Sequence, residues 1–172
     1  MNKQTIIDRH LHSLQELRHQ QCWSIIAGEG VGSEITIDFG DRTPRQYALK
    51  NPFLTEEQRT NEGSYILHVL CTWRLDSKTE IICGSNDPNK NDGIMVAGLE
   101  RLVGQTIRNV EVITPAYDLV LTFDDFVLRV FCDEMDKEDE FDNYSFFTPD
   151  MSYTVECRSR NISLEDRCPS GK

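Results

Sequence analysis

Ser64-Tyr65-Ile66-Leu67-His68-Val69-Leu70-Cys71-Thr72-Trp73-Arg74-Leu75 is the stretch on which the reading of this chain turns. Tyr65, Leu67, Val69, Cys71, Trp73 and Leu75 occupy every second position, and Ile66, His68, Leu70, Thr72 and Arg74 fall between them. A period of two puts successive side chains on opposite faces of an extended backbone, so the run predicts one long central strand. Upstream, Cys22–Ala27 and Glu34–Phe39 are short β-rich runs on either side of Gly28-Glu29-Gly30-Val31-Gly32-Ser33. Glycines supply the positive backbone angles of a turn, and the pair reads as a hairpin. Asp41 to Gly63, with Pro44 and Pro52, reads as a long connection in which Thr55-Glu56-Glu57-Gln58 caps a short helical turn.

Downstream, a short strand over Thr79–Cys83 leads into the polar loop GSNDPNKNDG, and Ile94–Val103 reads as a short helix closed by Gly104. Ile107–Thr114, Tyr117–Phe123 and Phe126–Cys132 follow as a strand meander. A turn at Asp124-Asp125 would put Leu119, Leu121 and Phe123 on the face that carries Phe126, Leu128 and Val130, because cross-strand pairs share a face. Tyr144–Phe147 and Met151–Cys157 read as last strands, and residues 158–172 as a frayed tail. At the other end Ile7, Leu11, Leu14 and Leu17 form one apolar stripe on a leading helix within residues 1–20. The expectation is an α+β fold over 1–172, a single domain of mainly antiparallel sheet, meander or half-barrel, with an N-terminal helix and one short central helix.

The 172 residues include 29 Asp and Glu against 18 Lys and Arg, a formal net charge of −11. Such a field repels nucleic acid and anionic membrane and speeds encounter with a basic partner. No apolar run reaches signal-peptide or spanning length, so a cytoplasmic location is expected, with neither direct nucleic-acid nor membrane binding. Six cysteines without close spacing, Cys22, Cys71, Cys83, Cys132, Cys157 and Cys168, read as reduced thiols. Cys71 and Cys83 could face each other across neighbouring strands.

The motif-like clusters each fail a physical requirement. The glycine run precedes a strand where a dinucleotide site needs a helix, and it lacks the Lys-Ser/Thr ending of a P-loop. Asp87, Asn89 and Asn91 imitate a calcium loop, but Asp92 stands where its glycine belongs and Gly98 where its glutamate belongs. His10, His12 and His19 lack the helical spacing of metal ligands, and His68 and Cys71 point to opposite faces of an alternating strand. No catalytic residue, metal or cofactor is expected.

The strongest local signal is Asp133-Glu134-Met135-Asp136-Lys137-Glu138-Asp139-Glu140-Phe141-Asp142, seven acids against one lysine, followed by Tyr144-Ser145-Phe146-Phe147. It fits a self-repelling loop that keeps a sheet edge from pairing. It equally fits an anionic docking surface with aromatic anchors, in which Asp133, Glu134, Asp136, Glu138, Asp139, Glu140, Asp142 and Tyr144 are the partner-binding candidates.

Cys71-x-Trp73-Arg74-Leu75, Leu102-x-Gly104-x-x-Ile107 and Asp118-Leu119-x-Leu121-x-Phe123, in that order over roughly residues 22–157, resemble small bacterial families encoded beside polymorphic toxins as immunity proteins. The resemblance implies a protein that binds and blocks a cognate toxin, which would be the basic partner. The alternatives are an enzyme whose site is assembled in space without a motif, and a structural or regulatory module of an assembly.

Overall fold

Leu70 and Cys71 interrupt the alternating run, and their backbone N–H groups both donate to the carbonyl of Asn143, at 3.0 and 3.1 Å. The computed structural model describes residues 2–134, 142–156 and 161–167, and in it the expected central strand is two strands. These are β3 (Asn61–Val69) and β4 (Thr72–Ser77), and they belong to different sheets. Alternation cannot distinguish the two cases. The chain crosses between sheets while keeping one side toward the core, so Leu67, Val69, Cys71, Trp73 and Leu75 are all buried.

The other elements are α1 (Lys3–Gln15), β1 (Cys22–Ile26), β2 (Ile35–Pro44), α2 (Glu56–Thr60), β5 (Ile81–Gly84), α3 (Ile94–Glu100), β6 (Asn109–Ile113), β7 (Asp118–Thr122), β8 (Phe126–Phe131), β9 (Asp142–Phe147), β10 (Met151–Glu156) and β11 (Ile162–Asp166). A six-stranded antiparallel sheet runs β1-β2-β3-β9-β10-β11, and a five-stranded one runs β5-β4-β8-β7-β6. The fold is α+β, and the described residues form three helices and mostly strands. The five-stranded sheet is built entirely from residues 72–131, and the six-stranded sheet from the segments before and after it. One sheet is therefore an insertion within the other.

Both sheets contribute to one hydrophobic cluster. The β7–β8 hairpin has the expected face: Leu119 opposes Val130, Leu121 opposes Leu128, and Phe123 and Phe126 are buried with them. The β1–β2 hairpin and the Thr55–Gln58 capping box are also as read from the sequence. In β2 a bulge between Phe39 and Arg42 includes Gly40, whose φ of +74° suits glycine, and Gly63 passes so close that a Cβ there would lie 2.7 Å from Phe39 backbone atoms.

Two readings need correction. The helix ends at Gln15, and short turns carry the chain to His19, at φ +73°, instead of extending through Gln20. Its buried side also holds polar His10 and Ser13, which bond the hydroxyls of Tyr144 and Tyr153, each at 2.9 Å. The segment expected as a frayed tail contains β11, paired with β10 along its whole length. Arg167 then anchors it: the guanidinium donates to the carbonyls of Ser64, Gly63 and Thr148 and to Glu62 Oε1 at 2.9 Å. Glu62 also accepts from Arg45 at 2.9 Å, and all three side chains are nearly buried. Next to this cluster Asp38 Oδ1 accepts from the Gly63 N–H, while Oδ2 is buried with no hydrogen-bond partner among the described residues.

Candidate functional site

The two polar loops rejected as ligand sites hold each other. Asn89 Nδ2 donates to the carbonyl of Gly32 at 3.0 Å, Asn91 Oδ1 accepts from the Glu29 N–H at 3.4 Å, and Asp87 closes its own turn on the Gly84 N–H at 2.8 Å. Trp73 Nε1 donates to the Ser33 carbonyl at 2.8 Å from beneath. These bonds set α3, which follows the second loop, next to β1, which precedes the first.

A cleft of about 540 Å³ lies between β1, the 51–58 segment and α3. Trp23 and Ile25 line it from the half-buried positions of β1 that alternate with buried Cys22, Ser24 and Ile26, and Ala27 follows directly after the strand. Phe53, 55% exposed, and Val103, 46% exposed, stand over it from the other two sides. Large apolar side chains held open around one concavity are the usual mark of a binding surface. Gln58 Nε2 donates to the Ile25 carbonyl at 3.1 Å, so the capping box that forms α2 also ties it to the cleft floor.

Two carboxylates stand at the rim. Glu57 is ion-paired with Arg42, whose guanidinium also stacks 4.9 Å over the Trp23 ring. Glu100 is exposed, and no ion pair neutralises it among the described residues. Trp23 Nε1 is buried without a hydrogen-bond partner among those residues. The cleft thus combines an apolar wall with a rim carboxylate that has no ion pair among the described residues. Among the described residues that line it, no nucleophile is paired with a base. Among the described residues no three His, Cys, Asp or Glu side chains converge as metal ligands would.

The acidic run is described only at its two ends. Asp136, Glu138, Asp139 and Glu140 lie outside the described residues. Asp133 and Glu134 are exposed; Asp133 Oδ1 accepts from the Thr72 N–H at 3.3 Å, and the Glu134 N–H donates to Asn143 Oδ1 at 3.1 Å. Asp142 is half-buried opposite Glu156, and burial, then that like charge, push its carboxyl above the ordinary range. Tyr144 is not a surface anchor: it is fully buried and its hydroxyl bonds His10 and the Tyr117 carbonyl. The aromatic run next to the acids alternates along β9, and Tyr144 and Phe146 fall on the core face of that strand.

Phe53 and Trp23 are not legible as site residues in the sequence because one sits in a connection and the other in a short β-rich run that reads only as one arm of a hairpin. The available signal was an apolar pair, Phe53-Leu54, inside an Asn- and Pro-rich connection that should otherwise be polar. Comparison of the chain with family models, curated proteins and solved structures finds no match.

Proposed function

We propose that the protein binds and sequesters a basic protein partner, in the manner of an immunity protein that blocks a toxin, and that the cleft between β1, the 51–58 segment and α3 is its docking site. The observation that carries this reading is Phe53, more than half exposed at 55%, over an apolar-walled cleft with unpaired Glu100 at its rim. An apolar anchor of the partner fills the cleft against Phe53 and Val103, and a flanking Lys or Arg meets Glu100. The net charge of −11 steers the encounter. The exposed acids Asp133 and Glu134 add to that field.

The test is co-expression with the basic product of a neighbouring toxin gene, scored by growth and by co-purification. Wild type restores growth and forms a complex. Phe53→Ser and Glu100→Lys, both at exposed positions and therefore within about 0.5 kcal/mol of wild type in stability, abolish the complex. Full protection by both variants would place the docking surface elsewhere, and failure of wild type to bind any neighbouring toxin would overturn the function.

A further inference from the structure

Cys71 is not opposite Cys83, as the sequence allowed; Cys83 opposes Leu75. In the β4–β8 ladder Thr72 opposes Phe131 and Trp73 opposes Val130, so the next step places Cys71 opposite Cys132. Both lie on the core-facing side, Cys71 in line with Trp73 and Cys132 in line with Val130. Their backbones are not bonded to each other there: the Cys71 N–H donates to the Asn143 carbonyl at 3.1 Å, and the Cys132 N–H to Asp118 Oδ1 at 2.7 Å. An antiparallel pair of this kind is the one in which side chains approach most closely, with Cα atoms about 4.5 Å apart, inside the range a disulfide spans. Both thiols are free. Cys71 is buried and Cys132 half-buried, so only Cys132 is open to a reagent.

We propose that Cys71 and Cys132 form a dithiol that a small-molecule disulfide converts to a Cys71–Cys132 disulfide. The Cys132 thiolate attacks one sulfur of the reagent, giving a mixed disulfide and one released thiol. The Cys71 thiolate then attacks the Cys132 sulfur and expels the second thiol. Two cysteines lose two electrons, the reagent disulfide gains them, and the two protons end on the two released thiols. Cys22, opposite Phe39, and Cys83, opposite Leu75, have no cysteine across their ladders.

The environment sets the rate. The Cys71 thiol first, then burial, then the carboxylates of Asp118 and Asp133 hold the Cys132 thiol far above its ordinary range. The buried Tyr144 hydroxyl is on the same cluster and is itself held up by burial and by both thiols. Exchange is therefore slow at neutral pH and accelerates as pH rises. The product would fasten the crossover between the two sheets to the residue directly before Asp133, where the acidic run begins.

The experiment exposes the folded chain carrying Cys157→Ser and Cys168→Ser to oxidised glutathione over a pH series and follows intact mass and mapped peptides. The expected product is a chain lighter by two hydrogens, with Cys71 joined to Cys132, a higher Tm and a formation rate that rises with pH. With Cys71→Ser added, the reaction should instead stop at a stable glutathione adduct on Cys132. A lasting adduct on Cys132 when Cys71 is present, or a link that appears only in denaturant, would overturn the proposal.

Discussion

Asp38 and His10 are buried on different elements, and protons pull them in opposite directions. Burial raises the Asp38 carboxyl from 3.8 to about 6, against the Gly63 N–H and Arg45, which hold it down. Burial lowers the His10 imidazole from 6.5 to about 4 between the rings of Tyr144 and Tyr153. For Asp38 the folded state binds protons more tightly than the unfolded state, so its contribution is complete below pH 3.8 and is lost as pH rises through 6. For His10 the folded state holds the proton less tightly, so its contribution is present above 6.5 and is lost as pH falls through 4. At about 1.4 kcal/mol per unit each effect is roughly 3 kcal/mol, and over this window they oppose each other. Denaturant titrations across the window should find Asp38→Asn gaining stability with rising pH relative to wild type, and His10→Gln losing it. Parallel profiles for all three chains would show that neither group titrates as its burial requires.

Arg167 holds the segment after β11 onto the sheet. Its guanidinium satisfies three backbone carbonyls and Glu62 in a nearly buried setting. Arg167→Ala should cost about 3–5 kcal/mol in unfolding experiments, as removal of one partner from a buried ionic cluster does. A cost below 1 kcal/mol would mean that Glu62 is satisfied without Arg167.

Among the elements, α3 depends on a missing side chain. A Cβ on Gly98 would lie 2.6 Å from Cys83 Sγ and 3.1 Å from Ile82 Cγ2, so glycine lets the helix sit directly on β5. Gly98→Ala should cost about 1–3 kcal/mol and push α3 outward. The same variant should weaken partner binding, since Glu100 and Val103 move with the helix; unchanged affinity would separate α3 from the docking surface. Neutralising Asp136, Glu138, Asp139 and Glu140 to Asn or Gln should leave Tm nearly unchanged and slow association about tenfold at low salt, with the gap closing as salt rises. Equal association rates at every salt concentration would leave the run as a solubility device.

Most elements were legible because strand alternation, the capping box and the glycine turn are local signals. What was not legible depended on partners distant in sequence. Nothing within Ser64–Leu75 says that Asn143 will bind two adjacent N–H groups and divide the strand. Nothing within residues 158–172 says that Arg167 will find Glu62. Tyr144 was misplaced for a related reason: an aromatic residue beside an acidic run reads as an exposed anchor until His10, 134 positions away, is known to bond its hydroxyl. The cleft is still less local, since its three sides come from β1, the 51–58 segment and α3.

At the scale of the whole molecule, the insertion of one sheet within the other sets an order of assembly. Residues 72–131 hold all five described strands of the five-stranded sheet, so these strands can pair as soon as this stretch has left the ribosome. The first half of the six-stranded sheet must wait. β3 pairs Ile66 with Phe147 and Val69 with Tyr144, so until β9 is synthesised the inner side of β3 is an unpaired edge. Unpaired edges recruit other chains. A chain halted after Glu134 should therefore form oligomers that the full chain does not, visible by light scattering of ribosome-released fragments, whereas a monomeric fragment would show that the edge is covered in some other way. In the cell, the interval between translation of β3 and of β9 would be the period when a nascent chain most needs a chaperone.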